Sequence, residues 1–110
     1  MKEKEHDITL GLILQASRKV GDYLSGYDRG RFLANSKTQS AVIMQLVVIG
    51  ELAKKLPEGF RQKIDLPWKL MAGFRDFAVH EYFELDLDKV CETAVNDVPV
   101  VKEKLEQHPS

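Results

Sequence analysis

The feature that most restricts the fold is an apolar stretch at positions 37–56, which would cover nearly every face of a helix. Its apolar side chains are Val42, Ile43, Met44, Leu46, Val47, Val48, Ile49, Leu52 and Ala53. Residues 47–49 are β-branched and have strand propensity, but the length of the stretch favours a helix. Ser36 and Gln39 fit a capping box at its start. Such a helix must be central in its own bundle or partly buried against a second subunit.

The first part of the chain has the three- and four-residue apolar spacing of an amphipathic helix over about residues 6–27. The predicted buried line of this helix is Ile8, Leu12, Ala16, Val20, Tyr23, Leu24 and Tyr27, widened by Leu10 and Leu14. Residues 28–31 break the pattern and are predicted to form a connection.

The second half of the chain predicts two more helices. One starts near Pro67, whose fixed φ suits a first helical turn, and a helical turn at 60–64 precedes it. Its predicted buried stripe is Leu66, Leu70, Phe74, Phe77 and Ala78. The other starts after a capping Asp86, and Pro99 should kink or split it near Val98 because proline has no N–H. The sequence therefore predicts an all-α, up-and-down bundle of four main helices.

Composition is typical of one small soluble domain, with 44% hydrophobic and 30% charged residues in a chain of 110. The net charge of −1 argues against a strongly basic nucleic-acid coat, so any RNA contact needs a local patch. Cys91 is the only cysteine, which excludes an intrachain disulfide and a cysteine zinc cluster. The charged N-terminus lacks a signal-peptide stretch, and the longest apolar run is too short to span a bilayer. A cytoplasmic protein is expected.

Three chemically capable side chains, Arg75, His80 and Tyr82, lie close together in the sequence near the predicted end of a helix. Arginine can bind a phosphate, histidine can move a proton near neutral pH, and tyrosine can accept a modification. Asp76 stands four residues before His80, close enough on a helix to favour the charged imidazolium. These residues are the candidate functional site.

The three side chains do not converge on a straight helix, because Arg75 and His80 would project about 140° apart. Two arrangements could bring such groups together. The helix could end before His80, so that Glu81 and Tyr82 turn into a loop. Alternatively, two copies of the helix could face each other across a dimer axis, with Gly73 allowing close approach.

Glu51 lies on the apolar helix and is expected to be a structural partner, with Arg75 as the candidate, because a buried carboxylate normally needs one. No cluster of metal ligands accompanies the motif, and the other histidines, His6 and His108, lie in the termini. We therefore expect a mechanism without a metal ion.

The segment at 75–82 resembles the Arg-x4-His-x-Tyr signature of HepT-like proteins in the HEPN superfamily. The resemblance covers nearly the whole chain and implies one HepT-like domain over 1–110, a four- to five-helix bundle and a homodimer. Other segments that resemble family positions are Ile49-Gly50-Glu51, Leu66-Pro67-Trp68, Met71-Ala72-Gly73, Thr38-Gln39-Ser40-Ala41-Val42 and Asp97-Val98-Pro99.

The resemblance further implies a metal-independent endoribonuclease toxin of a type VII toxin–antitoxin pair. Arg75 would bind the scissile phosphate, and His80 would act as acid or base while a ribose 2′-OH attacks it. An MntA-type minimal nucleotidyltransferase would neutralise the toxin by adding AMP to Tyr82. Asp76 stands where many members have an amide, so it either tunes His80 or repels RNA.

Two other functions stay open at this point. The chain could be a non-catalytic HEPN binding module that partners a minimal nucleotidyltransferase. It could also be a structural homodimer whose apolar helix only forms an interface. Three measurements separate these hypotheses: RNA cleavage, the mass added to the protein at Tyr82, and the oligomeric state.

Overall fold

A computed structural model describes residues 2–108, with side chains from residue 4 onward, and this part of the chain is helical apart from short connections. No strand occurs within it, so the predicted all-α bundle is confirmed. A 3-10 turn at Tyr82–Glu84 and a π-helical segment at Thr93–Asp97 separate some of the helices. The helices are α1 (Lys2–Tyr23), α2 (Arg29–Leu33), α3 (Ser36–Lys55), α4 (Glu58–Arg61), α5 (Trp68–His80), α6 (Leu87–Glu92) and α7 (Val98–Gln107).

The apolar helix α3 is central in the bundle, which is one of the two positions that its sequence allowed. It packs against α1 and α5, and α1 also packs against α7. Its buried residues are Val42, Ile43, Leu46, Ile49, Gly50 and Ala53. Within the described residues, neither α3 nor any other helix is long and apolar enough to cross a membrane.

The start of α3 lies one residue away from the predicted cap. Asn35, rather than Ser36, is the N-cap, and its side chain accepts a hydrogen bond from the Thr38 backbone N–H at 2.9 Å. Gln39 donates to backbone carbonyls at the end of α2 instead of closing a capping box. The capping-box prediction was wrong because asparagine caps a helix as well as serine does, and it comes first.

Helix α1 ends earlier than predicted, and the predicted connection contains the short helix α2. The chain turns at Gly26, whose φ of +78° is a conformation that glycine adopts without strain. Asp28 then caps α2 by accepting a hydrogen bond from the Arg31 N–H at 2.8 Å. The buried line of α1 also differs, since Ile8 and Leu12 are exposed. Its buried residues are Leu10, Ile13, Ala16, Ser17 and Val20.

Helix α5 buries only part of the stripe predicted for it. Leu66, just before the helix, and Ala78 are buried, and Phe74 is partly buried against the core. Met71 and Ala78 are its buried residues, whereas Leu70 and Phe77 are 44% and 47% exposed. Apolar spacing alone cannot tell whether the Met71 side or the Leu70 and Phe77 side of α5 is buried, because both sides carry apolar side chains. The packing of α5 against α3 decides between them.

The contact between α3 and α5 requires glycine at position 50. A Cβ built on Gly50 would lie 2.4 Å from both the Arg75 Cβ and the Met71 carbonyl oxygen. Without a side chain at this position, the two helices approach closely along the side of α5 that carries Met71 and Arg75. This approach turns the Leu70 and Phe77 side of α5 outward.

The last helix is interrupted, as Pro99 predicts. Asp86 caps α6 by accepting a hydrogen bond from the Asp88 N–H at 2.9 Å, and this predicted cap is confirmed. The wider π-helical turn follows, and α7 begins at Val98 with Pro99 in its first turn. Proline cannot donate the usual backbone hydrogen bond, so a change of helix type at this place is physically expected.

Replacing Gly50 with alanine should destabilise the bundle. The added methyl group overlaps the Met71 carbonyl oxygen, and overpacking of this kind costs about 1–3 kcal/mol. That cost exceeds the gain of up to about 1 kcal/mol in helix propensity. Urea unfolding followed by circular dichroism should show a lower free energy of unfolding.

Gly11→Ala is the matched control, because a Cβ at Gly11 in α1 meets no atom within 4 Å. This variant should be as stable as the wild type, or more stable by up to about 1 kcal/mol. An equal gain for Gly50→Ala would show that α3 and α5 do not pack closely at this point.

Candidate active site

Arg75 lies where α5 crosses Gly50, and two carboxylates hold its guanidinium. Its Nε donates to Glu51 Oε2 at 2.6 Å, and its Nη1 donates to Asp76 Oδ1 at 3.0 Å. The contact with Glu51 that the sequence suggested is therefore present. The hydrogen bonds to Asp76 and Glu51 raise the pKa of Arg75 above its ordinary value, so this side chain is a permanent cation.

Lys54 is a fourth charged residue at this place, and no pattern in the sequence predicts its presence here. Its Nζ donates to the same Asp76 Oδ1 at 2.6 Å. The hydrogen bonds from Lys54 and Arg75 lower the pKa of the Asp76 carboxyl, which is therefore ionised at neutral pH. We call Glu51, Lys54, Arg75 and Asp76 the charge cluster; its two cations and two anions sum to a formal charge of zero.

The expected contact between Asp76 and His80 is not observed. Within the described residues, Asp76 pairs with Lys54 and Arg75, and no hydrogen bond or ion pair joins it to His80. Lys54 of α3 and Arg75 of α5 pair with the Asp76 carboxylate. His80, which lies one turn further along α5, does not. His80 itself is exposed at the last position of α5.

Helix α5 ends at His80, which is close to the first of the two arrangements considered from the sequence. Glu81 leaves the helical conformation, and residues Tyr82–Glu84 form a 3-10 turn. The Tyr82 side chain is 46% exposed and Phe83 is 97% exposed. Their rings meet edge to face with centroids 5.7 Å apart. Tyr82, which carries the hydroxyl group, therefore lies on an accessible turn.

Arg75 and His80 do not meet within this chain. They lie on one continuous helix, so their side chains project about 140° apart. The Arg75 side chain is 24% exposed, and within residues 4–108 its Nη2 has no hydrogen-bond partner. A guanidinium offers planar N–H pairs to an oxyanion, so the Nη2 edge of Arg75 remains available for a phosphate.

An apolar groove of about 460 Å³ lies between α5 and α6, on the side of α5 that faces away from α3, and neither Arg75 nor His80 lines it. We call it the α5 groove; Leu70, Gly73 and Phe77 line it from α5, with Leu85 and Lys89 opposite. Exposed large apolar side chains grouped in this way mark an interaction surface. Across residues 4–108, no three His, Cys, Asp or Glu side chains are grouped so that they could hold a metal ion.

Comparison with known proteins identifies the family. Residues 13–108 match the family model described as Ribonuclease HepT-like. The chain is 38% identical over 100 residues to the Methanocaldococcus jannaschii protein named "Putative RNase MJ0127", an alignment that covers 90% of this chain and 83% of that protein. It is 40% identical over 77 residues to "Probable ribonuclease HepT" of Thermococcus cleftensis, covering 69% of this chain and 70% of that protein. No solved structure matches the chain. The resemblance seen in the sequence is confirmed, and the chain belongs to the Ribonuclease HepT-like family.

Proposed function

We propose that this protein is an endoribonuclease in which Arg75 binds the scissile phosphate and His80 transfers a proton. The observation that carries the proposal is the state of Arg75, whose guanidinium is held by Glu51 and Asp76 while its Nη2 edge has no partner among the described residues. An arginine that is already oriented loses little further freedom when it binds an oxyanion. The relatives named above as ribonucleases support the same activity.

The proposed reaction needs only a phosphate-binding cation and a proton carrier. The ribose 2′-oxygen attacks phosphorus and the bond to the 5′-oxygen breaks, which leaves a 2′,3′-cyclic phosphate and a 5′-hydroxyl. The His80 imidazole accepts the proton of the 2′-OH, or in its charged form donates one to the leaving 5′-oxygen. Negative charge that builds up on the non-bridging oxygens is stabilised by N–H donors of Arg75. These steps use no metal ion.

A second copy of the chain completes the proposed site. One α5 helix cannot clamp a phosphate between Arg75 and His80, because the two side chains diverge. Two α5 helices that face each other across a dimer axis would bring Arg75 and His80 of both protomers into one cleft. The α5 groove lies on the His80 side of α5, since Gly73 and His80 are seven residues apart on one helical line, and it is the proposed contact surface on that side. Gly73 favours this arrangement, since a Cβ there would meet no atom within 4 Å and the surface is open to a partner.

Tyr82 is the proposed site of control. An MntA-type minimal nucleotidyltransferase would transfer AMP to its hydroxyl, which makes the two proteins a type VII toxin–antitoxin pair. The partial exposure of Tyr82 on a turn with no buried residue supports this role. An AMP group next to His80 would add bulk and negative charge where an RNA phosphate has to bind.

Arg75→Ala and His80→Ala should each slow RNA cleavage by about 100-fold or more, because one removes the phosphate donor and the other the proton carrier. The measurement is cleavage of a single-stranded RNA oligonucleotide by the unmodified protein with a chelator present, with analysis of the product ends. Arg18→Ala is the matched control, since Arg18 is also ion-paired, to Glu106 at 2.9 Å, but lies on α1. Full activity of His80→Ala would disprove its role, and inactive wild type free of AMP would favour a non-catalytic binding module.

Tyr82→Phe should abolish AMP addition, because the ring stays and only the acceptor hydroxyl is lost. After co-expression with an MntA-type nucleotidyltransferase, intact-mass spectrometry should show one or more AMP increments on the wild type and none on this variant. Tyr23→Phe serves as the control, since Tyr23 is a tyrosine of similar exposure, 37%, on α1. Increments that persist in Tyr82→Phe would place the acceptor on another residue.

Phe77→Glu should convert a dimer into a monomer and lower the cleavage rate with it, because it puts a charge into the apolar α5 groove. Light scattering coupled to size-exclusion chromatography measures the mass directly. Val95→Glu is the control: Val95 is 54% exposed, compared with 47% for Phe77, and it lines a different groove. A dimer that survives Phe77→Glu would place the interface on another surface.

A further inference from the structure

We infer that Lys54 is a positioning residue of the phosphate site, which holds Asp76 neutralised so that this carboxylate does not repel RNA from Arg75. The inference rests on the proposed ribonuclease function. It addresses a conflict in the sequence, where an acidic residue directly follows the arginine that has to attract a phosphate. Without a compensating cation, that acid would lower the affinity of the site for any polyanion.

The geometry of the ion pairs supports this role. Lys54 Nζ lies 2.6 Å from Asp76 Oδ1, and Arg75 Nη1 lies 3.0 Å from the same oxygen. One carboxylate oxygen therefore accepts from two cations that come from different helices. The side chains of Lys54 and Asp76 are 38% and 48% exposed, so both are within reach of a bound polyanion.

The helix contact at Gly50 explains why Lys54 can reach this oxygen. Residues 50 and 54 are one helical turn apart and face the same side of α3. Because α3 and α5 approach closely at Gly50, the Lys54 ammonium reaches Asp76 across the helix interface. The same contact brings Glu51 to Arg75 Nε.

The charge balance of the cluster depends on Lys54. With Lys54 present, its two cations and two carboxylates cancel, and the Nη2 edge of Arg75 can attract a phosphate. Removal of Lys54 leaves the cluster with a net charge of −1 beside the binding edge. Asp76 still accepts from Arg75 Nη1 in that case, so it orients the guanidinium while repelling the ligand. A neutral amide at position 76 would keep a carbonyl acceptor for Arg75 without the repulsion.

Because Lys54 compensates the repulsion that Asp76 exerts on RNA, loss of Lys54 should be reversed by removing the Asp76 charge as well. Lys54→Met should lower kcat/KM for a single-stranded RNA oligonucleotide about tenfold, mainly through a higher KM, because the exposed Asp76 charge acts on binding. Adding Asp76→Asn to Lys54→Met should restore kcat/KM to within about threefold of the wild type. Lys54→Arg should keep the activity, since arginine also pairs with a carboxylate.

Lys104→Met is the matched control, because Lys104 also pairs with a carboxylate, Asp65 at 3.0 Å, but lies on α7. It should leave kcat/KM unchanged. Circular dichroism checks that each variant is folded. A purely structural Lys54 would not give a KM effect that Asp76→Asn reverses.

Two readouts do not depend on cleavage. Fluorescence anisotropy with a labelled RNA oligonucleotide, in the His80→Ala background, should show weaker binding when Lys54→Met is added. An NMR pH titration should show the pKa of the Asp76 carboxyl below its usual range in the wild type and higher in Lys54→Met. The sign follows from the pairing: the ionised carboxylate is stabilised at neutral pH, and this stabilisation is lost as pH falls through the lowered pKa.

The outcomes separate the inference from the proposed function. Wild-type cleavage with an unchanged kcat/KM in Lys54→Met, or with no restoration by Asp76→Asn, overturns the inference and leaves the nuclease in place. Absence of cleavage by the unmodified wild type disproves the proposed ribonuclease function. The RNA-binding measurement then tests the role of Lys54 on its own. Binding that Lys54→Met weakens supports the inference, whereas unchanged or absent binding overturns it.

Discussion

The close approach of α3 and α5 at Gly50 is the constraint on which the candidate site depends. The missing side chain at Gly50 lets the α5 backbone come near enough for two residues of α3, Glu51 and Lys54, to reach Arg75 and Asp76. Both inter-helix ion pairs cross the same interface, so any separation of the helices weakens them together. Packing of two backbones, rather than attraction between charges, therefore sets the geometry of the charge cluster.

Much of the fold follows from local properties of the sequence, but the choice between Met71 and its neighbours Leu70 and Phe77 as buried residues of α5 does not. Apolar spacing predicts the main helices, and proline chemistry predicts the break before α7, because these are properties of a short segment. The burial of Met71 in place of Leu70 and Phe77 depends on a glycine of another helix. No pattern within α5 contains that information.

In the candidate site, too, contacts between different helices could not be predicted from a single segment. The pairing of Glu51 with Arg75 was expected from the sequence, but the stated reason was wrong: the Glu51 side chain is 48% exposed and is not a buried carboxylate that needs a partner. Lys54 stands 22 positions before Asp76, and no spacing rule connects residues on different helices at that separation. The expected pairing of Asp76 with His80 fails for the same reason, since an i, i+4 rule counts only the neighbours on one helix.

The turn at Tyr82–Glu84 has a consequence for how the protein can be regulated. It carries no buried side chain, whereas Arg75 sits at the packed crossing of two long helices. A covalent group can therefore be attached to the turn, or taken off it, without repacking the hydrophobic core. In the proposed function, the phosphate would bind at the packed crossing of α3 and α5, and the modification would be made on the exposed turn.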